Sequence, residues 1–368
     1  MCIVEHSREV YRHLADEQSR MIYMNRLNYS LTGDMRFIED LVNRTLRQNQ
    51  TWRSFCESLK EKAGSNELII FGAGIWGNIL YQETKDIIRW KGVIDSNPKD
   101  KYVGRLPVAS FEDFVKTYGG EVVVLSSFKN GGGMLEQLKN AGIPDSDSKI
   151  MDAGSVIYTL TEKAIYFDLE ECRPGGKKEF FIDAGGFDGL TTASFMEWCG
   201  GNGYSYIFEP DERNRVSIRN NLKEISNYEI VPKALWSGTA TLAMDSKGNF
   251  ASNVREKTGE DQEETIDSAA IDDFVKERGI TYIKMDIEGA EAEALRGAAR
   301  VITEQKPRLA ISIYHKEKDI WEIPALLLNY CPEYQFYLRH YSFSWYDTVL
   351  YAVAKNDRKA LERKAILE

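Results

Sequence analysis

Acids and glycines at fixed spacing are the residues here best suited to chemistry. Glu179 to Gly189 reads EFFIDAGGFDG: an apolar run, an acid at Asp183, then glycines at Gly185, Gly186 and Gly189 with Asp188 between them. This is the pattern of a buried parallel strand, a tight turn and the start of a helix. A second acid, Glu209, followed by Pro210, ends the apolar run Tyr206-Ile207-Phe208, 20 residues past Gly189. A carboxylate there can accept both hydroxyls of a ribose, so an adenosine-containing ligand is expected. A third group lies further on. Asp286 ends the run Tyr282 to Met285, Glu288 and Glu291 follow it, and His315 lies just beyond the run Arg308 to Ile313. Ligands of open α/β sheets bind outside the carboxyl ends of the strands, so these groups are expected to share one cleft.

The acid at the strand tip separates two kinds of adenosine ligand. A dinucleotide rests its pyrophosphate on the helix N-terminus and packs its glycines as GxGxxG. The spacing from Asp183 to Gly189 is instead Asp-x-Gly-x-x-x-Gly. A carboxylate at that place repels a pyrophosphate and suits the ammonium and sulfonium of S-adenosylmethionine. Asp183, Gly185, Gly186, Asp188, Gly189, Glu209, Pro210 and Asp286 are the expected cofactor contacts. Lys233, Ala234 and Leu235 follow the third apolar run, where the adenine should rest. Asp188 fits a helix cap equally well. His315, Asp286 and Glu288 are the candidate catalytic groups, because methyl transfer needs alignment and, for a poorly acidic acceptor, a base. One histidine and two acids form a thin ligand set for a metal, and none is expected.

A second glycine turn lies upstream. Leu68-Ile69-Ile70-Phe71 leads into Gly72-Ala73-Gly74-Ile75-Trp76-Gly77, and Asp95 ends the next apolar run. This is the dinucleotide fingerprint with its ribose acid. Two readings stay open: a nucleotide or nucleotide-sugar site, and a fold kept for architecture, in which the glycines serve strand–helix packing. An NAD-dependent oxidoreductase or epimerase working through GAGIWG is the alternative function, and a non-catalytic binding protein a further one. The region is short for a dehydrogenase unit and lacks a Tyr-x-x-x-Lys pair.

DAGGFDG, then IFEPD (Ile207 to Asp211), then IKMDIEGAEAEALRGA (Ile283 to Ala298) and the strand with His315 resemble the FkbM-type methyltransferases. The resemblance spans roughly Glu179 to Val353. It implies a class I methyltransferase Rossmann-like sheet of order 3-2-1-4-5-7-6 and transfer to oxygen, commonly on a sugar or polyketide hydroxyl. Gly186 departs from the family, which often has alanine there, and the change reads as mild. The GAGIWG region is similar to abbreviated Rossmann-like domains found beside sugar-modifying enzymes.

The elements that must position these residues divide the chain into an α/β protein of several parts. Residues 1–62 carry helical spacing, as in Phe37, Ile38, Leu41 and Val42, and read as packing or dimerisation material. Residues 63–150 form the small Rossmann-like domain, 151–178 a linker, and 179–368 the methyltransferase domain. Thr239 to Met244 and Glu264 to Ile266 suggest an inserted hairpin around an acidic loop, Ser246 to Glu263, and Lys355 to Glu368 a charged helix or tail. The rings from Tyr334 to Tyr346 read as cross-strand packing, with stacking on a sugar face as the alternative.

Composition bounds the rest. With 47 basic and 57 acidic residues the net charge is -10, which argues against a general affinity for nucleic acid. The five cysteines have no zinc spacing, and reduced thiols in a cytoplasmic protein are expected. No leader pattern and no membrane-spanning run is apparent, so no membrane partner is expected. The expected partner is a small-molecule or glycan acceptor, with homo-oligomerisation open.

Overall fold

The computed structural model describes residues 3–146, 148–163, 165–245, 253–256, 265–275 and 279–355. Most of the acidic loop Ser246 to Glu263, the end of the helix expected at Ile271 to Arg278, and nearly all of the Lys355 to Glu368 tail lie outside them, but Asn253–Glu256, within the expected loop, is described and is a strand. The described chain divides into two units, Val42–Ile165 and a second made of Met1–Leu41 with Tyr166–Glu368.

In Val42–Ile165, Leu68–Phe71 and Val122–Leu125 are buried along their whole length. Continuous apolar runs suit strands covered on both faces. They pair in parallel, and the six-stranded sheet runs Tyr102–Val103, Leu106–Ser110, Trp90–Asp95, Leu68–Phe71, Val122–Leu125, Ile150–Asp152. Only Tyr102–Val103 is antiparallel to its neighbour. The segment expected to be a linker contributes the strand Ile150–Asp152 and the helix Ala153–Thr161, capped by Asp152 through Ser155 N–H.

The second unit holds a seven-stranded sheet. Its strands are β1 (Glu179–Ala184), β2 (Gly203–Phe208), β3 (Tyr228–Val231), β4 (Tyr282–Met285), β5 (Arg308–Ser312), β6 (Tyr334–His340) and β7 (Thr348–Ala354). They lie in the order β3-β2-β1-β4-β5-β7-β6. Pairing is parallel from β3 to β5, and β7 is antiparallel to both β5 and β6. This is the class I methyltransferase arrangement. The carboxyl ends of β1, β2, β4 and β5 fall together, which brings the candidate acids and His315 to one edge. Thr241–Asp245 pairs antiparallel with Thr265–Ala269, as suggested, and on its other side with Asn253–Glu256, in a separate four-stranded sheet rather than a simple hairpin. Of the aromatic stretch, Tyr334, Phe336 and Tyr337 are core, whereas Trp345 is exposed.

The first 41 residues belong to this unit rather than to a helical segment running on to residue 62. Ala15 N–H donates to Phe336 O at 2.9 Å, Ser19 Oγ accepts from Leu338 N–H at 2.9 Å, and Asp16 pairs with Arg339 at 2.8 Å. Helix Glu17–Thr32 is thereby fastened to edge strand β6. Its N-cap is Asp16 and its C-cap Gly33, at φ +68°. Helical spacing alone does not reveal which sheet a helix covers. The division falls beside a π-helical turn, Asn43–Arg47.

Candidate active site

Gly185 and Gly189 both take φ +83°, the left-handed region that favours glycine. A side chain at Gly185 would meet Asp286 O at 2.1 Å. The turn after β1 therefore lies directly against the end of β4. Gly186 is held for a different reason: a Cβ there would sit 2.2 Å from Ile207 Cγ2, inside the buried β2. The alanine common in the family is thus not a mild alternative in this chain unless Ile207 moves. Phe187 stands exposed on the turn at φ +44°. Asp188 Oδ1 accepts from Leu190 N–H at 3.1 Å, just before helix Leu190–Trp198, whose N-cap position is Gly189.

Asp183 is fully buried. Its carboxylate accepts from Thr192 Oγ1 at 2.9 Å and pairs with Lys284 Nζ at 3.2 Å. Lys284 also donates to the carbonyls of Ala184 and Gly185, at 3.1 and 2.8 Å. Burial raises the Asp183 pKa against the pull of Lys284 and Thr192. The charge expected to face a cationic ligand is matched inside the protein, and Asp183 acts by fixing the turn. Lys284 was not among the expected residues, although a charged residue in the apolar run Tyr282 to Met285 is a visible signal.

Glu209, at the end of β2, is 5% exposed. Oε2 accepts from Phe187 N–H and Oε1 from Asp211 N–H, both at 2.9 Å. The Asn214 side chain also bonds to this carboxylate, and with about four lone-pair sites it is aimed while still able to accept from a ligand. Burial raises its pKa against these bonds. Pro210 O accepts from Arg215 Nη1, which ties down the segment before helix Glu212–Asn221. Ala234 and Leu235 are buried and paired with Ser268 and Ala269 in the four-stranded sheet, so their side chains are covered.

The remaining candidates converge around His315. Its Nδ1 is 2.9 Å from Glu291 Oε1, and its Nε2 is 3.5 Å from Asp286 Oδ1 and 3.6 Å from Glu288 Oε2. None of these approaches has the alignment of a hydrogen bond. Asp286 is braced by Tyr166 Oη at 2.8 Å and Tyr314 Oη at 3.3 Å. Tyr166 comes from the expected linker and carries no sequence signal. Burial opposes ionisation of Asp286, yet Lys284 and His315 together with the Tyr166 bond hold its pKa below the ordinary value. Glu288, at φ +55°, is pushed up to about 7 by burial, with Asp286 and Glu291 adding to the shift against His315. Burial works against a charged His315, but Glu291, Asp286 and Glu288 raise its pKa to about 9. In this arrangement the ring holds its proton at neutral pH. That differs from the free base suggested by an unperturbed histidine, and the cause is the number of acids around it.

Glycine turn, aimed Glu209 carboxylate and strand-tip cluster occupy the carboxyl edge of a methyltransferase sheet, and Asp183 to Ser344 matches the family model described as the methyltransferase FkbM domain. Residues 183–344 form an FkbM methyltransferase domain. Methyl transfer is the class of reaction this domain carries. Among solved structures, the chain is similar to the methyltransferase FkbM of Methylobacillus flagellatus KT, with 20% identity over 88% of this chain and 100% of that one, at a TM-score of 0.46. It is also similar to Aeropyrum pernix fibrillarin, solved with S-adenosyl-L-methionine, with 12% identity over 52% of this chain and 73% of that one, at a TM-score of 0.34. An rRNA methylase from Streptococcus thermophilus is 17% identical over 48% of this chain and 88% of its own, at 0.31. No curated protein matches the chain. No helix among the described residues is long and apolar enough to cross a membrane.

Proposed function

We propose that the FkbM domain transfers a methyl group from S-adenosylmethionine to a hydroxyl oxygen of a small or glycan-type acceptor, with a sugar as the leading candidate. The observation that carries this reading is the aimed Glu209 carboxylate beside the glycine turn, whose Gly185 lies against the Asp286 backbone at the end of β4. In this reading the adenosyl ribose bonds to Glu209. The acceptor lies at the β4 and β5 tips, where its hydroxyl reaches a carboxylate. Glu288 suits that role by position, since its side chain is 29% exposed whereas Glu291 is enclosed.

In the reaction the acceptor oxygen forms a bond to the methyl carbon as the carbon–sulfur bond breaks. The electron pair stays on sulfur and gives neutral S-adenosylhomocysteine, so no acid is needed for the leaving group. The hydroxyl proton passes to the carboxylate. The enzyme's part is alignment and proton removal. Trp345, 43% exposed, packs edge-on to Tyr314 with centroids 6.3 Å apart, and offers a flat face of the kind that stacks on a pyranose ring.

Calorimetry with S-adenosylmethionine, S-adenosylhomocysteine, NAD and a UDP-sugar tests the reading. One adenosyl ligand per chain is expected. Binding of NAD with neither adenosyl ligand would overturn it. A methylation screen over glycans and small hydroxylated acceptors then tests the acceptor class, and transfer confined to nitrogen or carbon acceptors would remove the hydroxyl.

A further inference from the structure

The cluster at the β4 and β5 tips is chemically unbalanced. Four carboxylates, Asp286, Glu288, Glu291 and Asp319, act on one imidazole. In a self-contained ion-pair network each buried oxygen would have a donor. That is not the case here. Glu291 is 0% exposed, its Oε1 accepts from Ile287 N–H at 2.9 Å, and its Oε2 has no hydrogen-bond partner among the described residues. The side chain of His315 is 8% exposed, and neither ring nitrogen makes an aligned hydrogen bond among them. A buried carboxylate oxygen without a partner costs on the order of a few kcal/mol. The oxygen of Glu291 nearest His315 is Oε1, which Ile287 already holds, so Oε2 and the two ring nitrogens are left for something else to bond.

We propose that Asp286, Glu291 and His315 bind a divalent cation. One ligand atom from each lies within 4.8 Å of the other two. The Glu291 and His315 atoms are already 2.9 Å apart, close to the ~3 Å that adjacent ligands about 2.1 Å from a common ion require. Two carboxylates and one imidazole are hard to borderline donors, which suits Mn²⁺ or Mg²⁺ and disfavours the softer metals that take thiolate. The ligands come from separate pieces of chain held by the same fold. Asp286 is fixed by Tyr166 and Tyr314, and Glu291 opens the helix Glu291–Arg296. His315 follows β5, and the turn between Asp286 and Glu291 closes through positive φ at Glu288 and Gly289. Such strain is tolerated where the surroundings dictate the conformation, commonly at functional sites. The thin set visible in the sequence, Asp286, Glu288 and His315, omitted Glu291, the group that points to a ligand.

The site does not depend on the methyl-transfer reading, but its role does. An ion at the β4 tip would have coordination positions left for the acceptor oxygen, orienting it toward the methyl group and favouring its alkoxide. Glu288, outside the triad, stays available to take the proton.

The test uses the full chain after EDTA treatment. Loss of the free Mn²⁺ signal in electron paramagnetic resonance counts bound ions, and Mg²⁺ serves as competitor. One Mn²⁺ per chain is expected, with affinity falling at least tenfold in Glu291→Gln and again in Asp286→Asn. Asp95→Asn, in the other unit, should leave it unchanged. Circular dichroism and a thermal melt check that each variant is folded, and the milder His315→Gln gives a third measurement if Glu291→Gln is not. No stoichiometric binding, or binding equal in wild type and the folded cluster variants, overturns the proposal. S-Adenosylhomocysteine binding measured in EDTA keeps the two readings apart: its absence would count against methyl transfer and not against the cation.

Discussion

The two glycine turns share a plan and differ in what they face. In each, the acid ending the next strand takes a turn N–H. Asp95 Oδ2 accepts from Ala73 N–H at 2.8 Å, and Glu209 Oε2 from Phe187 N–H at 2.9 Å. In the Val42–Ile165 unit a Cβ at Gly77 would stand 1.9 Å from Gly72 O, so its glycines let helix Ile75–Thr84 pack on its own turn. The strand tip is apolar Phe71, and Ser126 on the neighbouring strand spends its hydroxyl on Phe71 O at 2.8 Å. In the methyltransferase unit Gly185 presses on Asp286 O, the tip is the Asp183–Lys284 pair, and the neighbouring tip carries buried groups without partners. Glycine spacing reports strand–turn–helix packing in both. Chemistry resides in the polar groups around the turn, and these set the second turn apart.

The comparison breaks first, if it breaks, at Asp183. Asp183→Asn leaves the Lys284 ammonium, 3% exposed, without its paired carboxylate. A loss of about 3–5 kcal/mol is expected in urea denaturation. The matching change at the other tip, Phe71→Leu, should cost about 1 kcal/mol. If the two substitutions cost the same, the charged tip is not what distinguishes the turns. Replacing both members of the pair, as Asp183→Leu with Lys284→Met, should recover part of the loss.

Alanine at the glycines separates packing from ligand binding. Gly185→Ala adds backbone strain to a collision with Asp286 O, and Gly77→Ala forces the helix from its turn. Each should cost about 2–4 kcal/mol. Only Gly185→Ala should also abolish S-adenosylhomocysteine binding under conditions where the protein remains folded. Equal loss of ligand in both variants would tie the ligand to the GAGIWG turn as well. Next in size, Glu209→Ala should weaken that ligand at least tenfold, about 1.4 kcal/mol, while Asp95→Ala leaves it unchanged. Calorimetry at one temperature reads both, and an effect of Asp95→Ala would favour the dinucleotide reading.

These residues differ in how far the sequence disclosed them. Strand, turn and acid were legible because a buried parallel strand needs a continuous apolar run and the turn needs glycine. The order of the seven strands followed from family resemblance, since local patterns do not encode which strands pair. The burial of Asp183 was hidden because its partner Lys284 lies about a hundred residues away, within what reads as a core strand. Tyr166 was hidden for a similar reason: a tyrosine in a connecting segment has no signature until Asp286 is placed beside it. The first 41 residues show the same limit, their helices being plain in the sequence and their attachment to β6 not.

The smallest effect distinguishes the units by acid. All four histidines, His6, His13, His315 and His340, belong to the methyltransferase unit. His340, on β6, is buried with Nδ1 2.9 Å from Thr348 Oγ1. Burial first, and the Arg26 charge next, push its pKa down from 6.5 to about 3. The folded ring therefore stays neutral while the unfolded one takes a proton below 6.5. Between these values the unfolded state binds more protons, so this contribution is complete above the upper one and is lost as pH falls. The loss is about 1.4 kcal/mol at about pH 5.5. Hydrogen exchange read by peptide should show β6 and its neighbours opening more readily at that pH than at about pH 7. His340→Gln should flatten this dependence, and strands of the Val42–Ile165 unit should respond less. An unchanged pH dependence in His340→Gln would remove His340 as its source; the buried carboxylates Asp183, Glu209 and Glu288, whose pKa values are raised, act in the opposite direction.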